Sequence, residues 1–125
     1  MLHAELTETI IGCAMKVQRA LGPGFLESVY QNALAHELRG AGLLVEWERK
    51  IQVRYEGVVV GDFEADILVD GLVLIKNKAV RTLMPAHEQQ LMHYLTATGI
   101  AVGLLLNSGA ERLEFKRKLR TYRPR

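Results

Sequence analysis

The first third of the chain has apolar residues at helical spacing. Apolar positions recur every three or four residues from about Leu6 to Leu21, and again from about Leu26 to Arg39. This spacing is typical of helices that bury one face. Gly22-Pro23-Gly24 ends the first segment, and Gly40 and Gly42 end the second. The pattern therefore predicts two consecutive amphipathic helices.

The middle of the chain changes to the period of a β-strand. Apolar and polar residues alternate from Val45 to Tyr55, which predicts a long strand with one exposed face. Glu56-Gly57 is a turn signal, and a second apolar run begins at Val58. We expect Gly61-Asp62 to interrupt this run before it continues from Phe63 to Val69.

A hairpin signal and a helix follow. The dipeptide Asp70-Gly71 joins the second run to a strand from Leu72 to Lys78, and this dipeptide favours a tight antiparallel turn. Pro85 suits the first turn of a helix that reaches about Thr98. The continuous apolar run from Val102 to Leu106 predicts a buried strand.

A last alternating segment, from Arg112 to Leu119, completes the order ααβββαββ. This order predicts an α/β fold with a mixed central sheet flanked by helices. The passage from Leu72 to Leu106 is expected to be a right-handed crossover between parallel strands. No repeat or linker divides the chain, so residues 1–125 are expected to form a single domain.

Composition and charge restrict the environment and the partners. Cys13 is the only cysteine, which excludes an internal disulfide framework and fits a reducing cytoplasm. No apolar run approaches the roughly 20 residues of a membrane span, so we expect no membrane association. The net charge is +2, but residues 111–125 carry seven Lys or Arg against two Glu. The segment 112–125 is either a solvated last strand and tail or an edge that contacts phosphates.

Candidate chemistry concentrates around the hairpin. Asp66 lies on one strand, and Lys76 and Lys78 lie two residues apart on the next, so both lysines share a face. An acid at position 76 would give Mg²⁺ the carboxylates it prefers, beside a lysine that stabilises charge on a phosphate. The chain has Lys76 there instead. Gln90 and Tyr94 are four residues apart, on one helical face.

Several sequence blocks together resemble the GxxExxY proteins, a branch of the PD-(D/E)XK nuclease-like superfamily. The resemblance covers nearly the whole chain, with the blocks in the same order. The Gln90-x-x-x-Tyr94 pair is similar to a motif of exonuclease-type members. The blocks are Gly24–Tyr30, Ala65–Val69, Lys78–Val80, Pro85–Leu95 and Gly103–Asn107.

The resemblance implies a restriction-endonuclease-like core and a site for Mg²⁺ or Mn²⁺. Glu27, Asp66 and an acid at position 76 would be the metal-site carboxylates, and Lys78 the catalytic lysine. Lys76 replaces that acid. Two like unit charges about 4 Å apart repel by roughly 4 kcal/mol at an effective dielectric of about 20, and a divalent ion doubles this. The resemblance therefore predicts an altered metal site, with phosphodiester hydrolysis weakened or lost.

Two local arrangements remain open. Glu64 lies two residues before Asp66 on the same strand face, so it can replace the lost carboxylate and keep a metal. Alternatively, Lys76 pairs with Asp66 and Glu27 and holds the fold without metal, which is the arrangement we favour.

Three functions follow from these arrangements. The first is an active metal-dependent nuclease with Glu64 as the relocated acid. The second is a weakened or inactive nuclease fold that still binds nucleic acid, with DNA favoured over RNA, through Lys76, Lys78, Arg81 and the edge from Arg112 to Arg125. The third is a non-catalytic interaction module, in which the strand from Val45 to Tyr55 pairs with a second copy of the chain.

Overall fold

A computed structural model describes the backbone of residues 1–120 and the side chains of residues 1–47, 52–61 and 67–120. The side chains of Glu64 and Asp66, and residues 121–125 of the basic tail, lie outside the described residues. The predicted order ααβββαββ is confirmed. The elements are α1 (Ala4–Leu21), α2 (Glu27–Gly40), β1 (Val45–Tyr55), β2 (Val58–Val69), β3 (Val73–Lys78), α3 (Pro85–Thr98), β4 (Val102–Asn107) and β5 (Glu114–Leu119).

The five strands form one sheet in the order β1-β2-β3-β4-β5. Strands β3 and β4 are parallel, as expected for two strands joined through a helix. The other neighbouring pairs are antiparallel and are connected by turns or short loops. The sheet is therefore mixed, and the predicted α/β fold class is confirmed.

Helices cover both faces of the sheet. On one face, α1 and α2 pack through Ile10 and Leu34 onto Ile75 and Leu104. On the other face, α3 packs through leucines onto β3 and β4. Burying each such leucine contributes about 1.5–3 kcal/mol. Among the described residues, no helix combines the length and apolar composition needed to cross a membrane.

Close packing fixes the position of α3 over β4. Leu91 and Leu95 are fully buried against this strand. A Cβ atom on Gly103 would lie 2.9 Å from Leu91 Cδ1 and 3.1 Å from Leu95 Cδ2. The helix can therefore approach the sheet this closely because residue 103 has no side chain.

One strand prediction was wrong, because β2 runs without interruption through Gly61-Asp62. The ladder accommodates the irregularity with a bulge, in which Val53 pairs with Gly61 and Arg54 pairs with Val59. Val60 is the extra residue between these two pairs. A bulge of this kind bends and twists a strand pair without ending it.

The hairpin between β2 and β3 differs from the prediction by one residue. Asp70 and Gly71 have φ values of 52° and 67°, as expected for a turn with two left-handed positions. Leu72, however, lies outside the strand, and β3 begins at Val73, opposite Val69. The Asp70 carboxylate also accepts a hydrogen bond from Leu44 N at 2.8 Å, which ties the turn to the start of β1.

The far ends of β1 and β2 form a two-stranded arm. Strand β2 pairs with β1 along its length but with β3 through Ile67 to Val69. The arm, residues 52–61, therefore extends past the shared part of the sheet. Its end exposes 67% of Tyr55, 62% of Val58 and 59% of Val60. Such a ribbon depends on further contacts for its stability.

Candidate functional site

Strand β3 presents its two lysines to the face that α3 covers. Leu74 packs with the leucines of α3, while Val73 and Ile75 join the core on the opposite face. Side chains alternate along a strand, so Lys76 and Lys78 project on the same side as Leu74. Both lysines are half-buried. The shared face predicted from their spacing is therefore present.

The ammonium of Lys76 lies against the ring of Tyr94. Its Nζ atom is 6.0 Å from the ring centroid, within the range of a cation–π interaction. Each of the two residues has a further interaction besides this contact. Lys76 is consequently held beneath α3 instead of extending into solvent.

Gln90 lies one turn before Tyr94 on α3, but in a different environment. Its side chain is exposed, whereas Tyr94 is half-buried against Lys76. The structure thus places only the tyrosine of this pair beside the β3 lysines. Gln90 faces outward from the sheet, where it is accessible to a ligand.

Asp66 is a backbone neighbour of Lys76. Ile67 pairs with Ile75 in the antiparallel ladder, Asp66 directly precedes Ile67, and Lys76 directly follows Ile75. The two residues therefore lie side by side across adjacent strands. Because the side chains of Asp66 and Glu64 lie outside the described residues, the Lys76–Asp66 pair and the substitution by Glu64 stay predictions.

Glu27 begins α2, on the side of the sheet opposite α3. Its side chain is exposed, and among the described side chains no ion pair joins it to Lys76. The carboxylate lies in the first turn of the helix, where the helix dipole stabilises a negative charge. The structure does not bring Glu27 and Lys76 into contact.

Tyr30 fixes the loop that directly precedes Glu27. Its hydroxyl donates a hydrogen bond to Gly22 O at 2.5 Å and accepts one from Phe25 N at 3.2 Å. The Phe25 ring meets the Tyr30 ring edge to face, with centroids 6.1 Å apart. The sequence blocks contain this tyrosine, but its role in fastening the loop between α1 and α2 was not predicted.

Replacing Tyr30 with phenylalanine should destabilise the chain by about 1–2 kcal/mol, because two partly buried hydrogen bonds to the backbone would be lost. The exposed side chain of Tyr55 provides a matched control, and Tyr55→Phe should leave stability unchanged. Urea unfolding of both variants measures the difference. Equal midpoints for Y30F and Y55F would show that the Tyr30 hydroxyl does not hold the loop.

The described side chains, which do not include those of Asp66 and Glu64, form no site for a divalent cation. Among them, no group of three His, Cys, Asp or Glu residues is placed to hold a metal ion. The centre of the β3 face is an ammonium, Lys76, which cannot act as a ligand and repels a cation. This part of the site suits an anion, and phosphate oxygens are anionic.

A buried asparagine organises the chain after Lys78. Asn107 donates hydrogen bonds to Val80 O and to Glu114 Oε1, each at 2.8 Å. Its Oδ1 accepts a hydrogen bond from Val80 N at 2.9 Å. Leu83 N donates to the same Glu114 carboxylate at 3.3 Å. The segment between β3 and α3 is therefore fastened to β4 and β5. In the sequence, the one signal for this role of Asn107 was its place as a polar residue at the end of a buried apolar run.

The three consecutive basic residues of β5 have different surroundings. Lys118 forms an ion pair with Glu88 of α3 at 2.6 Å, while Lys116 is exposed. The hydrogen bond from Lys118 has the largest effect and lowers the pKa of Glu88; desolvation raises this pKa by less, and the nearby charges of Lys118 and Lys116 lower it further. Arg117 projects to the opposite face and donates to the carbonyl oxygen of Leu2.

Comparisons with known proteins agree with this fold. A sequence model described as the PD-(D/E)XK nuclease superfamily matches residues 4–118. The crystal structure of SSO0001 is similar with a TM-score of 0.62 and 19% identity, covering 97% of this chain and 61% of that one. The alkaline exonuclease LHK-Exo from Laribacter hongkongensis is similar with a TM-score of 0.55 and 14% identity, covering 97% and 72%. No curated protein matches the chain.

Proposed function

Because the chain belongs to the PD-(D/E)XK nuclease superfamily, we propose that it binds nucleic acid through a degenerate nuclease site on the α3 side of β3. Proteins of this superfamily generally use divalent metals. In this chain Lys76 stands at the position of a metal-binding acid, so we assign it a role in holding phosphate. The blocks around Glu27 and Tyr30 further suggest the GxxExxY branch.

The contact between Lys76 and Tyr94 is the observation that carries this proposal. The ring holds the ammonium 6.0 Å away on the face it shares with Lys78. A lysine that had replaced the acid without gaining a role would be expected to extend into solvent, since its ammonium is hydrated there. Two neighbouring ammonium groups instead create a local positive potential that attracts a phosphate backbone.

Hydrolysis at such a site is expected to be weak or absent. A divalent ion, when bound in this superfamily, activates water and stabilises the charge that develops on the phosphate. Lys76 and Lys78 can stabilise phosphate charge, but an ammonium does not generate hydroxide. The proposed activity is therefore binding, with DNA favoured over RNA. The chain spans 61% of the length of SSO0001, so the activity of that longer protein is not inferred for this chain.

Fluorescence anisotropy with labelled DNA at several salt concentrations tests the proposal. The unmodified chain should bind more weakly as salt rises, because phosphate contacts release counterions. Lys78→Gln should reduce the slope of log affinity against log salt by about 1. Arg19→Gln is a control that removes one exposed charge from α1, on the opposite face. Binding that is absent, or equally affected by both variants, would contradict the proposal.

The arm favours a second candidate function, a non-catalytic module that assembles with a second copy. Tyr55, Val58 and Val60 are exposed together at its end. Exposed strand edges with β-branched residues are templates for pairing with another chain. Sedimentation at increasing protein concentration separates the candidates, since self-association without DNA binding would favour the module.

A further inference from the structure

The two edge strands of the sheet are β1 and β5. In the part of the chain that the structure describes, no further strand pairs with the outer side of either. Edge strands present unpaired N–H and C=O groups, which are a template for another strand. The ladders make β5 antiparallel to β1. A second copy beside β5, with the same orientation of its sheet faces, would therefore continue the sheet by pairing its β1 with β5.

Backbone hydrogen bonds show which residues of each edge point outward. Arg120 N donates to Ala101 O at 2.8 Å, and Asp70 N donates to Leu44 O at 2.9 Å. In an antiparallel ladder, residues bonded inward alternate with residues whose N–H and C=O groups point outward. The outward residues are therefore odd-numbered on both strands: Phe115, Arg117 and Leu119 on β5, and Val45, Trp47 and Arg49 on β1.

One register of this pair places opposite charges across from each other. If Lys116 is opposite position 48 of the second copy, the outward residues of both strands also lie opposite each other. Position 48 is a glutamate, and the same register places Lys118 opposite Glu46 of the second copy. Oppositely charged residues at directly opposed positions stabilise a strand pair.

Like charges disfavour the alternative pairings. The favoured register also places Glu114 opposite position 50, which is a lysine. A shift by two residues would place Glu114 opposite Glu48 in one direction, or Lys116 opposite Lys50 in the other. Two copies of β5 would bring basic residues together, because three of them are consecutive in this strand. Charge therefore selects β1 as the partner of β5 and fixes the register.

Lys116 and Leu119 are the side chains of β5 most accessible to such a partner. Lys116 is exposed, whereas Lys118 already has the Glu88 carboxylate as a partner at 2.6 Å. Leu119 is 51% exposed, and the register places it opposite Val45 of the second copy. Covering this apolar surface favours association. Lys116 is consequently the residue at which the pairing is best tested.

We propose that copies of this chain associate head to tail, with β5 of one copy adding to β1 of the next. The inference does not depend on nucleic-acid binding, and it involves residues 45–50 of β1 instead of the arm. Each copy uses two different surfaces, so one edge stays free at either end and association can continue beyond a dimer. Because β5 has six residues, the contact is small and the association depends on protein concentration.

Sedimentation velocity of the full chain at increasing protein concentration tests the pairing. The unmodified chain should form species larger than a dimer, and these should dissociate as salt rises, because salt screens the charge pairs. Lys116→Glu and Glu48→Lys should each weaken association roughly tenfold, because each turns an attraction into a repulsion. Arg19→Glu, on the exposed surface of α1, is the charge-matched control and should leave association unchanged.

An equimolar mixture of K116E and E48K should associate again, because the reversed charges face each other when the two variants alternate. A variant that fails to fold cannot be rescued in this way. The proposal is wrong if the unmodified chain sediments as a single chain up to about 1 mM, or if the mixture stays dissociated. It is also wrong if R19E and K116E associate alike, as association through the arm would predict. The proposed DNA binding is tested separately by Lys78→Gln.

Discussion

Replacing Lys76 with glutamate is expected to create a binding site for Mg²⁺ or Mn²⁺. The change removes an ammonium and places a carboxylate beside the backbone position of Asp66, on the face shared with Lys78. One or two carboxylates are the usual protein ligands of Mg²⁺, and the remaining positions are filled by water and phosphate oxygens. The variant would then have the carboxylates and the lysine that metal-dependent phosphodiester hydrolysis requires.

The expected effect is large because repulsion is removed at the same time as a ligand is added. Two unit charges about 4 Å apart, one on residue 76 and one on the metal ion, interact by roughly 4 kcal/mol at an effective dielectric of about 20. Screening and desolvation reduce this, so we expect metal binding to tighten roughly 100- to 1,000-fold. Isothermal titration calorimetry with Mg²⁺ and Mn²⁺ measures the change directly. Cleavage of a labelled duplex should appear in K76E alone.

Two further variants separate the contributions. Lys76→Gln removes the positive charge without adding a ligand, so it should bind metal more weakly than K76E. Adding Asp66→Asn to K76E should abolish the gain, which tests whether Asp66 belongs to the site. Tight metal binding by the unmodified chain would instead favour Glu64 as the relocated acid, and would contradict the assignment of Lys76 to phosphate.

Replacing Gly109 with alanine is expected to have the largest effect on stability. A Cβ atom at this position would lie 2.5 Å from Ala79 C, Val80 N and Val80 O. These are backbone atoms, and Asn107 holds Val80 through hydrogen bonds to both its N–H and its C=O. Residues 79–80 cannot move aside without breaking those bonds. We expect a loss of about 3 kcal/mol, at the upper end of typical overpacking costs.

The same substitution at Gly12 provides the control. Gly12 lies within α1, and a Cβ atom there would meet nothing within 4 Å. Gly12→Ala should therefore stabilise the chain by roughly 0.5–1 kcal/mol, because alanine is the better helix former. Urea unfolding should show shifts of opposite sign. If G109A unfolds like the unmodified chain, the contact between the β4–β5 loop and residues 79–80 is not tight.

The sequence predicted the elements well where one local pattern dominates. The bounds of β1 and α3 agree with the prediction, because alternation and a proline start are strong local signals. The spacing of Lys76 and Lys78 also predicted their shared face. At Gly61-Asp62 the local signal was misleading, since a bulge in the ladder with β1 keeps the strand intact.

The contacts that organise the site depend on tertiary structure and were not predictable. Nothing in the local sequence around Tyr30 indicates that its hydroxyl bonds to Gly22 and Phe25. Asn107 and Val80 are distant in sequence, and their hydrogen bonds arise because parallel strands end side by side. The separation of Glu27 from Lys76 likewise follows from α2 and α3 covering opposite faces.

The order of strands in the sheet also limits the conformational entropy that the chain loses when the site forms. Each strand pairs with its neighbour in sequence, so three of the four pairings close only a turn or a short loop. The parallel pair needs a longer connection, and that connection is α3 itself. Lys76, Lys78, Gln90 and Tyr94 therefore belong to one continuous stretch of chain. Their assembly is a local event, which contacts from distant parts of the chain then secure.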